Sequence, residues 1–152
     1  MRKWQRRAVG ILTLGGSSVG LAAIASEISF SQLAPLSLVV VAMFAALFCF
    51  GIAVGVLIVE DTHDALSLAL PFWLAQIPAF QSPWISYELF TGAKFTILFQ
   101  SALTINFEWA GGSHFNLYLF PGDPGAIGVN IVAIVVSVWI WKNRNTAQSD
   151  LP

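Results

Sequence analysis

The chain has 152 residues, of which 57% are hydrophobic and only 10% are charged. Soluble domains carry about 25% charged residues, so the composition excludes an ordinary soluble domain and is typical of a membrane protein. The net charge of −1 argues against nucleic acid as a partner. The single cysteine, Cys49, excludes an intramolecular disulfide.

The chain begins with a basic segment, residues 1–7, followed by an apolar, glycine-rich segment, residues 8–26. Two interpretations are open for this segment. It is either a first transmembrane helix or a cleavable signal peptide, because Ala23-Ile24-Ala25 resembles a small-x-small cleavage site. The apolar run is long for a signal peptide, so we expect a retained transmembrane helix.

Residues 36–59 are the most apolar part of the chain and contain no charged side chain. At about 1.5 Å per residue, a helix of this length crosses the roughly 30 Å hydrocarbon core of a bilayer. The segment therefore predicts a second transmembrane helix. Small residues spaced four apart predict close packing between the first two helices. These residues are Gly16, Gly20, Gly51 and Gly55.

Residues 60–64 form the densest polar cluster in the chain. One interpretation is a carboxylate–imidazole metal site, because Glu60, His63 and Asp64 fall at i, i+3 and i+4 on a helix face. Di-iron helical bundles, however, need a second Glu-x-x-His motif and two further glutamates, and the chain has no second copy. We favour a cytoplasmic loop whose last residue caps the next helix, and we predict no metal and no cofactor.

Basic residues at both ends of the chain predict that both termini lie in the cytoplasm, which requires an even number of membrane crossings. We therefore expect residues 65–81 to form a third transmembrane helix, kinked by proline. Residues 126–141 are the fourth, followed by a cytoplasmic tail at 142–152. Gln76 and Asn130 are the intramembrane polar side chains, and we expect them to donate hydrogen bonds between helices three and four.

Residues 84–120 alternate between apolar and polar side chains, a period typical of strands. Glycine-containing turns at 91–93 and 110–112 would divide the segment into an extracytoplasmic three-stranded antiparallel β-meander. The rival interpretation is a membrane helix over residues 89–106, which would bury Lys94 in lipid at a large cost in free energy. The predicted apolar face of the sheet contains Phe95, Ile97, Phe99, Leu103, Ile105, Phe107, Phe115, Leu117 and Leu119.

The turn at 110–112 fixes the predicted register, because a slip of one residue would turn every side chain to the other face. This turn pairs Phe107 with Phe115 and makes Glu108 and His114 a cross-strand pair. A carboxylate beside an imidazole could act as a pH-sensitive contact. We favour an ordinary exposed pair of little energetic consequence.

The sequence contains no phosphate loop, nucleophile elbow or Cys-x-x-Cys motif. We therefore predict an α-helical integral membrane protein with four transmembrane helices, located in a cell membrane such as the bacterial inner membrane. Its expected role is that of a non-enzymatic accessory or interaction subunit. Its expected partners are the lipid bilayer and either another protein or further copies of the chain. The alternatives are an oligomeric transporter or channel, and a membrane enzyme using the metal site at Glu60, His63 and Asp64.

Overall fold

The structure is a computed structural model that describes residues 3–27, 35–100, 104–119, 122 and 125–148. A pair of long helices comes first, and a short helix, four strands and a last helix follow. The elements in chain order are α1 (Lys3–Glu27), α2 (Pro35–Val59), α3 (Ala65–Leu74), β1 (Pro78–Gln81), β2 (Ile85–Gln100), β3 (Thr104–Leu119), β4 (Ala126–Asn130) and α4 (Ile131–Gln148).

The long helices α1 and α2 pack side by side and run in opposite directions. Gly10 near the start of α1 lies against Val59 at the end of α2, whereas Gly20 lies against Phe48. Both helices are long and apolar enough to cross a membrane, and no other helix among the described residues meets that test of length and composition.

The prediction of four membrane-spanning helices is wrong. Residues 65–81 form the ten-residue helix α3 and then the strand β1. A helix of that length rises about 15 Å, half of what the hydrocarbon core requires. Residues 126–141 are divided between the strand β4 and the start of α4. Short runs of Ile and Val suit a strand as well as a helix, so the apolar composition of these segments did not distinguish the two.

β2 is the central strand of a curled, four-stranded antiparallel sheet with the order β1-β4-β2-β3. β3 pairs with one edge of β2 along its whole length. On the other edge, β1 pairs with the start of β2 and β4 pairs with its end. Because β1 also pairs with β4, these three strands curl into a closed ring.

The prediction of a three-stranded meander is also wrong. β2 and β3 form one long hairpin, from the pair Ile85–Leu119 to the pair Gln100–Thr104. The glycines that we expected in two turns lie inside the strands, where Gly92 is opposite Gly112. Both have positive φ angles, 80° and 111°. They therefore provide the backbone freedom expected of turn residues, but within a paired ladder.

The cross-strand pairs predicted from the meander are also wrong. Phe107 is opposite Ile97 and Phe115 is opposite Leu89, so the pair Phe107–Phe115 does not form. Glu108 is opposite Thr96 and His114 is opposite Phe90, so the pair Glu108–His114 does not form either. Every three-residue turn keeps odd-numbered residues opposite odd-numbered ones. The apolar pattern therefore fitted the predicted turns as well as it fits the observed register.

Two apolar clusters hold the sheet and the helices together. The first joins the middle and end of α2 to α3 and α4, and Trp73 is its largest fully buried side chain. The second joins Ile24 at the end of α1 and Phe44 and Phe48 of α2 to Leu89 of β2. The sheet therefore lies along the helix pair and covers one side of it.

Candidate functional site

The glycines predicted to pack helices lie at two different contacts. Gly20, Gly51 and Gly55 lie between α1 and α2; a Cβ atom on Gly55 would be 2.7 Å from the backbone nitrogen of Leu14. Gly16 faces the sheet instead, and a Cβ atom there would be 2.5 Å from the backbone nitrogen of Gly92. The middle of α1 is thus in backbone contact with the middle of β2.

Gln76 is buried, and its side chain bonds to the segment of β2 that lies between the parts paired with β1 and with β4. Its Oε1 accepts hydrogen bonds from the backbone nitrogen of Thr91 at 2.8 Å and from the Thr91 hydroxyl at 2.9 Å. Its Nε2 donates to the carbonyl of Phe72. The side-chain amide therefore replaces a strand neighbour.

Asn130 has a similar function at the junction of β4 and α4. Its Oδ1 accepts a hydrogen bond from the backbone nitrogen of Phe95 in β2 at 3.3 Å. The same atom accepts from the backbone nitrogens of Val132 and Ala133, so Asn130 is the N-cap of α4. Gln76 and Asn130 both bind β2, which differs from the predicted bonding between two membrane helices.

Glu60, His63 and Asp64 lie in a turn between α2 and α3, not on a helix face. The His63 Nδ1 is 3.1 Å from the Asp64 carboxylate, and both side chains are exposed. Among the described residues, no group of three His, Cys, Asp or Glu side chains could hold a metal ion. The turn therefore lacks the geometry on which the metal hypothesis depended.

Arg6 holds this turn against the start of α1. Its guanidinium donates to the carbonyl of Ile58 at 3.1 Å and to the carbonyl of Thr62 at 2.5 Å, and it pairs with Asp61. Asp61 has a positive φ of 63°. A cation at the carboxyl end of a helix is favourable because the last carbonyls carry partial negative charge. Arg6 therefore caps α2 from a distant part of the sequence.

The apolar face of the β2–β3 hairpin has a buried half and an exposed half. Near Leu89 the face packs on α2, and the ring of Phe115 lies 4.7 Å from the ring of Phe44. Leu117 belongs to the same packed half. Leu103 lies outside the described residues, as does the side chain of Leu119.

Between the opposed glycines, Gly92 and Gly112, and the far end of the hairpin, five large apolar side chains of this face are between 40% and 83% exposed. We call this group the distal aromatic face. Ile97, between its members, is half-buried, and the rings of Phe95 and Phe107 stack at 6.2 Å. The members of the distal aromatic face are Phe95, Phe99, Ile105, Phe107 and Trp109.

The even-numbered face of the same hairpin carries an ion-pair cluster. Lys94 pairs with Glu88 and with Glu108, and its ammonium lies 5.2 Å from the centre of the Phe90 ring. Partial burial alone would lower the pKa of Lys94. The hydrogen bonds and charges of the two carboxylates outweigh it, so the pKa is raised above its ordinary value. Lys94 therefore stays charged on the polar face of the hairpin.

Sequence reasoning missed the partners of Lys94, of Arg6 and of Trp73, whose Nε1 donates to the Thr13 hydroxyl at 3.0 Å. The alternation along β2 and β3 could have indicated the Lys94 cluster, because Glu88, Lys94 and Glu108 share one parity. The other two contacts join residues more than 50 positions apart and have no local signal.

Comparison of the chain with protein-family models, with curated proteins and with solved structures gave no match. The function is therefore argued from the geometry of the chain alone.

Proposed function

We propose that this chain is a non-enzymatic integral membrane protein that binds another membrane protein through the distal aromatic face and the adjoining edge of β3. The observation that carries the proposal is the contrast between the two halves of one sheet face. One half is buried against α2. In the other half, side chains remain open to the surroundings: Phe107 is 66% exposed and Trp109 is 83% exposed. A contiguous apolar surface of this kind is typical of an interaction site.

The two long helices support the membrane part of the proposal. Gly16, near the midpoint of α1, contacts β2, so a membrane around α1 would also surround part of the sheet. Lys94 would then lie near that depth, and its pairing with two carboxylates is the arrangement in which charged side chains occur in membranes. Backbone groups at that depth must be satisfied within the protein. The bonds from Thr91 to Gln76 and from Phe95 to Asn130 meet this requirement where β2 lacks a strand neighbour.

We further propose that both termini lie on the cytoplasmic side. Arg6 and Ile58 are at the same end of the helix pair, and Ile140, in the middle of α4, belongs to the same cluster as Ile58. The basic residues of α1 and Lys142 and Arg144 of α4 would therefore face the same side, as the positive-inside rule requires. In this arrangement α3 and α4 enter the bilayer from that side without crossing it.

The open edge of β3 favours a protein over lipid as the occupant of the distal aromatic face. β3 is the last strand in the sheet and pairs only with β2 among the described strands. Lipid tails cannot satisfy the backbone groups on its outer edge. A protein that adds a strand or polar side chains can satisfy them, and its apolar residues can cover the neighbouring aromatic side chains.

Photo-crosslinking in intact membranes tests the proposal. We expect a photoreactive phenylalanine analogue at Phe107 or at Trp109 to yield a discrete protein adduct. The matched control is Val135, an apolar residue of α4 that is also exposed, at 61%. Position 135 should label lipid only. Labelling of lipid alone at all three positions would contradict the proposal.

Cysteine accessibility tests the topology separately. In a Cys49→Ala background, a cysteine replacing Trp4 should react with an impermeant thiol reagent only from the cytoplasmic side, and a cysteine replacing Asn143 should behave in the same way. Labelling of the two positions from opposite sides would disprove the common location of the termini.

A further inference from the structure

A small cavity lies between the first turns of α1 and the last turn of α2. Its volume is about 110 Å³, several times the roughly 10–15 Å³ that a cavity needs in order to hold one water molecule. The cavity can therefore hold a chemical group larger than a single water. The lining residues are Lys3, Arg6, Arg7, Ile58, Val59 and Asp61.

The charge of this cavity is not neutralised within the described part of the chain. Its one carboxylate, Asp61, pairs with Arg6. Lys3 and Arg7 are exposed and form no ion pair with a described residue. The cavity therefore carries two uncompensated positive charges one helical turn apart on the same face of α1.

The backbone adds to this positive potential. The cavity lies beside the first described turns of α1, where the helix dipole favours an anion. The carbonyls at the end of α2 carry the opposite partial charge, and one of them, that of Ile58, accepts a hydrogen bond from Arg6. The apolar wall, Ile58 and Val59, continues onto α2, one of the two helices apolar enough to cross a membrane.

We propose that this cavity binds a phosphate group, the chemistry shared by anionic phospholipid headgroups and free inorganic phosphate. Lys3 and Arg7 donate charge-assisted hydrogen bonds to the phosphate oxygens. Arg6 keeps Asp61 from repelling the anion. Basic pockets beside membrane helices are typical sites for anionic headgroups, and a headgroup bound here would have its acyl chains beside Val59.

Calorimetric titration of the full chain in neutral detergent tests the site. The probes are dioctanoyl phosphatidic acid, dioctanoyl phosphatidylcholine and inorganic phosphate. We expect the phosphatidic acid to bind more tightly than the phosphatidylcholine. We expect Lys3→Gln with Arg7→Gln to weaken binding at least about tenfold, as the loss of one or more charge-assisted hydrogen bonds would do.

The matched control is Lys142→Gln with Arg144→Gln, which removes the same charge from α4 and should change the affinity by less than about twofold. Binding of inorganic phosphate as tight as that of phosphatidic acid would identify free phosphate as the ligand, and tighter phosphatidic acid binding would identify the lipid. No binding of either anion, or equal losses in both double variants, would overturn the proposal. Because the titration involves no partner protein, its result is independent of crosslinking at the distal aromatic face.

Discussion

At the scale of single residues, the side-chain amides of Gln76 and Asn130 satisfy backbone groups of β2 that have no strand neighbour. Gln76 is 1% exposed and occupies the gap between β1 and β4 on one edge of β2. The backbone nitrogen and the hydroxyl of Thr91 both donate to it. An apolar residue at 76 would fill the space but would leave these donors without an acceptor.

We therefore expect Gln76→Leu to lower the free energy of unfolding by about 1–3 kcal/mol, the usual cost of a buried unsatisfied donor. Thermal unfolding followed by circular dichroism in detergent measures this. Gln100→Leu is the control, because the Gln100 side chain is exposed and accepts a hydrogen bond from Asn106; its effect should stay below about 0.5 kcal/mol. Equal effects of the two substitutions would show that the amide at 76 is dispensable.

The ion pairs of Lys94 should make stability depend on pH in the alkaline range. The folded-state pKa lies above the ordinary value of 10.5, so the contribution of Lys94 is complete below 10.5 and is lost as the pH rises through the folded-state value. We expect the stability difference between the wild type and Lys94→Met to be constant from neutral pH up to the ordinary pKa of lysine and to shrink as the pH rises further. A difference that grows with pH would contradict the assigned direction.

Tyr87 also makes stability fall as the pH rises through the alkaline range. It is present in both the wild type and Lys94→Met. Burial raises the pKa of its phenol, and the hydroxyl donates to the carbonyl of Ala75 at 2.6 Å. Because the effect of Tyr87 is common to both proteins, it cancels when the two pH profiles are subtracted.

At the scale of elements, the contact between α1 and β2 requires that two backbones approach with no side chain between them. Gly16 is at this contact, and Ser113 donates a hydrogen bond to its carbonyl at 2.5 Å. Its neighbour Gly15 is exposed, and a Cβ atom there would meet nothing within 4 Å. These two adjacent glycines give opposite predictions for the same substitution.

Gly16→Ala should destabilise the protein by more than about 1 kcal/mol, because the new methyl group overlaps the backbone of β2. Gly15→Ala should raise stability by about 0.5–1 kcal/mol, because alanine loses less backbone entropy in a helix. Chemical unfolding of both variants in the same detergent measures the difference. Equal stability of the two variants would contradict the close approach of α1 and β2.

The register of the β2–β3 hairpin is testable by disulfide formation in a Cys49→Ala background. Cysteines at 97 and 107 are directly opposite and should oxidise, since Cβ atoms of opposed residues are about 4.5–5.5 Å apart. Cysteines at 107 and 115 should not oxidise. Gel mobility before and after reduction distinguishes the two outcomes. The reverse result would restore the turn at 110–112.

Some of these elements could be predicted from the sequence alone, and others could not. The apolar composition of residues 36–59 identified a helix apolar enough to cross a membrane, and the alternation along 84–120 indicated strands. The register could not be predicted, because a turn at 110–112 and a connection at 101–103 place the same residues on the same face. β1 and β4 escaped notice because four or five residues such as Ala126–Asn130 are too few to show a period.

The ion pairs of Lys94 could not be predicted either, because the sequence did not determine the register of the β2–β3 hairpin. With the wrong register, Glu108 was assigned to His114, and Lys94 had no predicted partner. The exposure of Phe107 could not be predicted either, because alternation shows which residues share a face but not which part of that face is covered. Arg6 gave no local indication that it would contact a carbonyl 52 residues away.

At the scale of the whole molecule, α1 is a structural part of the fold. Thr13 accepts the indole hydrogen bond of Trp73, and Ile24 belongs to the cluster that holds the sheet on α2. We therefore expect the mature protein to retain α1. Intact-mass measurement of protein purified from membranes checks this, and a mass corresponding to a chain that starts near residue 26 would show that the segment is removed.

The closed ring of β1, β2 and β4 has a consequence for synthesis of the protein. β4 is the last strand to leave the ribosome, yet it lies between β1 and β2 in the sheet. Until residues 126–130 emerge, the end of β2 has no strand on that edge, and exposed edges promote aggregation. Folding of the described sheet therefore finishes only with the last fifth of the chain, and a nascent chain stalled before β4 would expose this edge of β2.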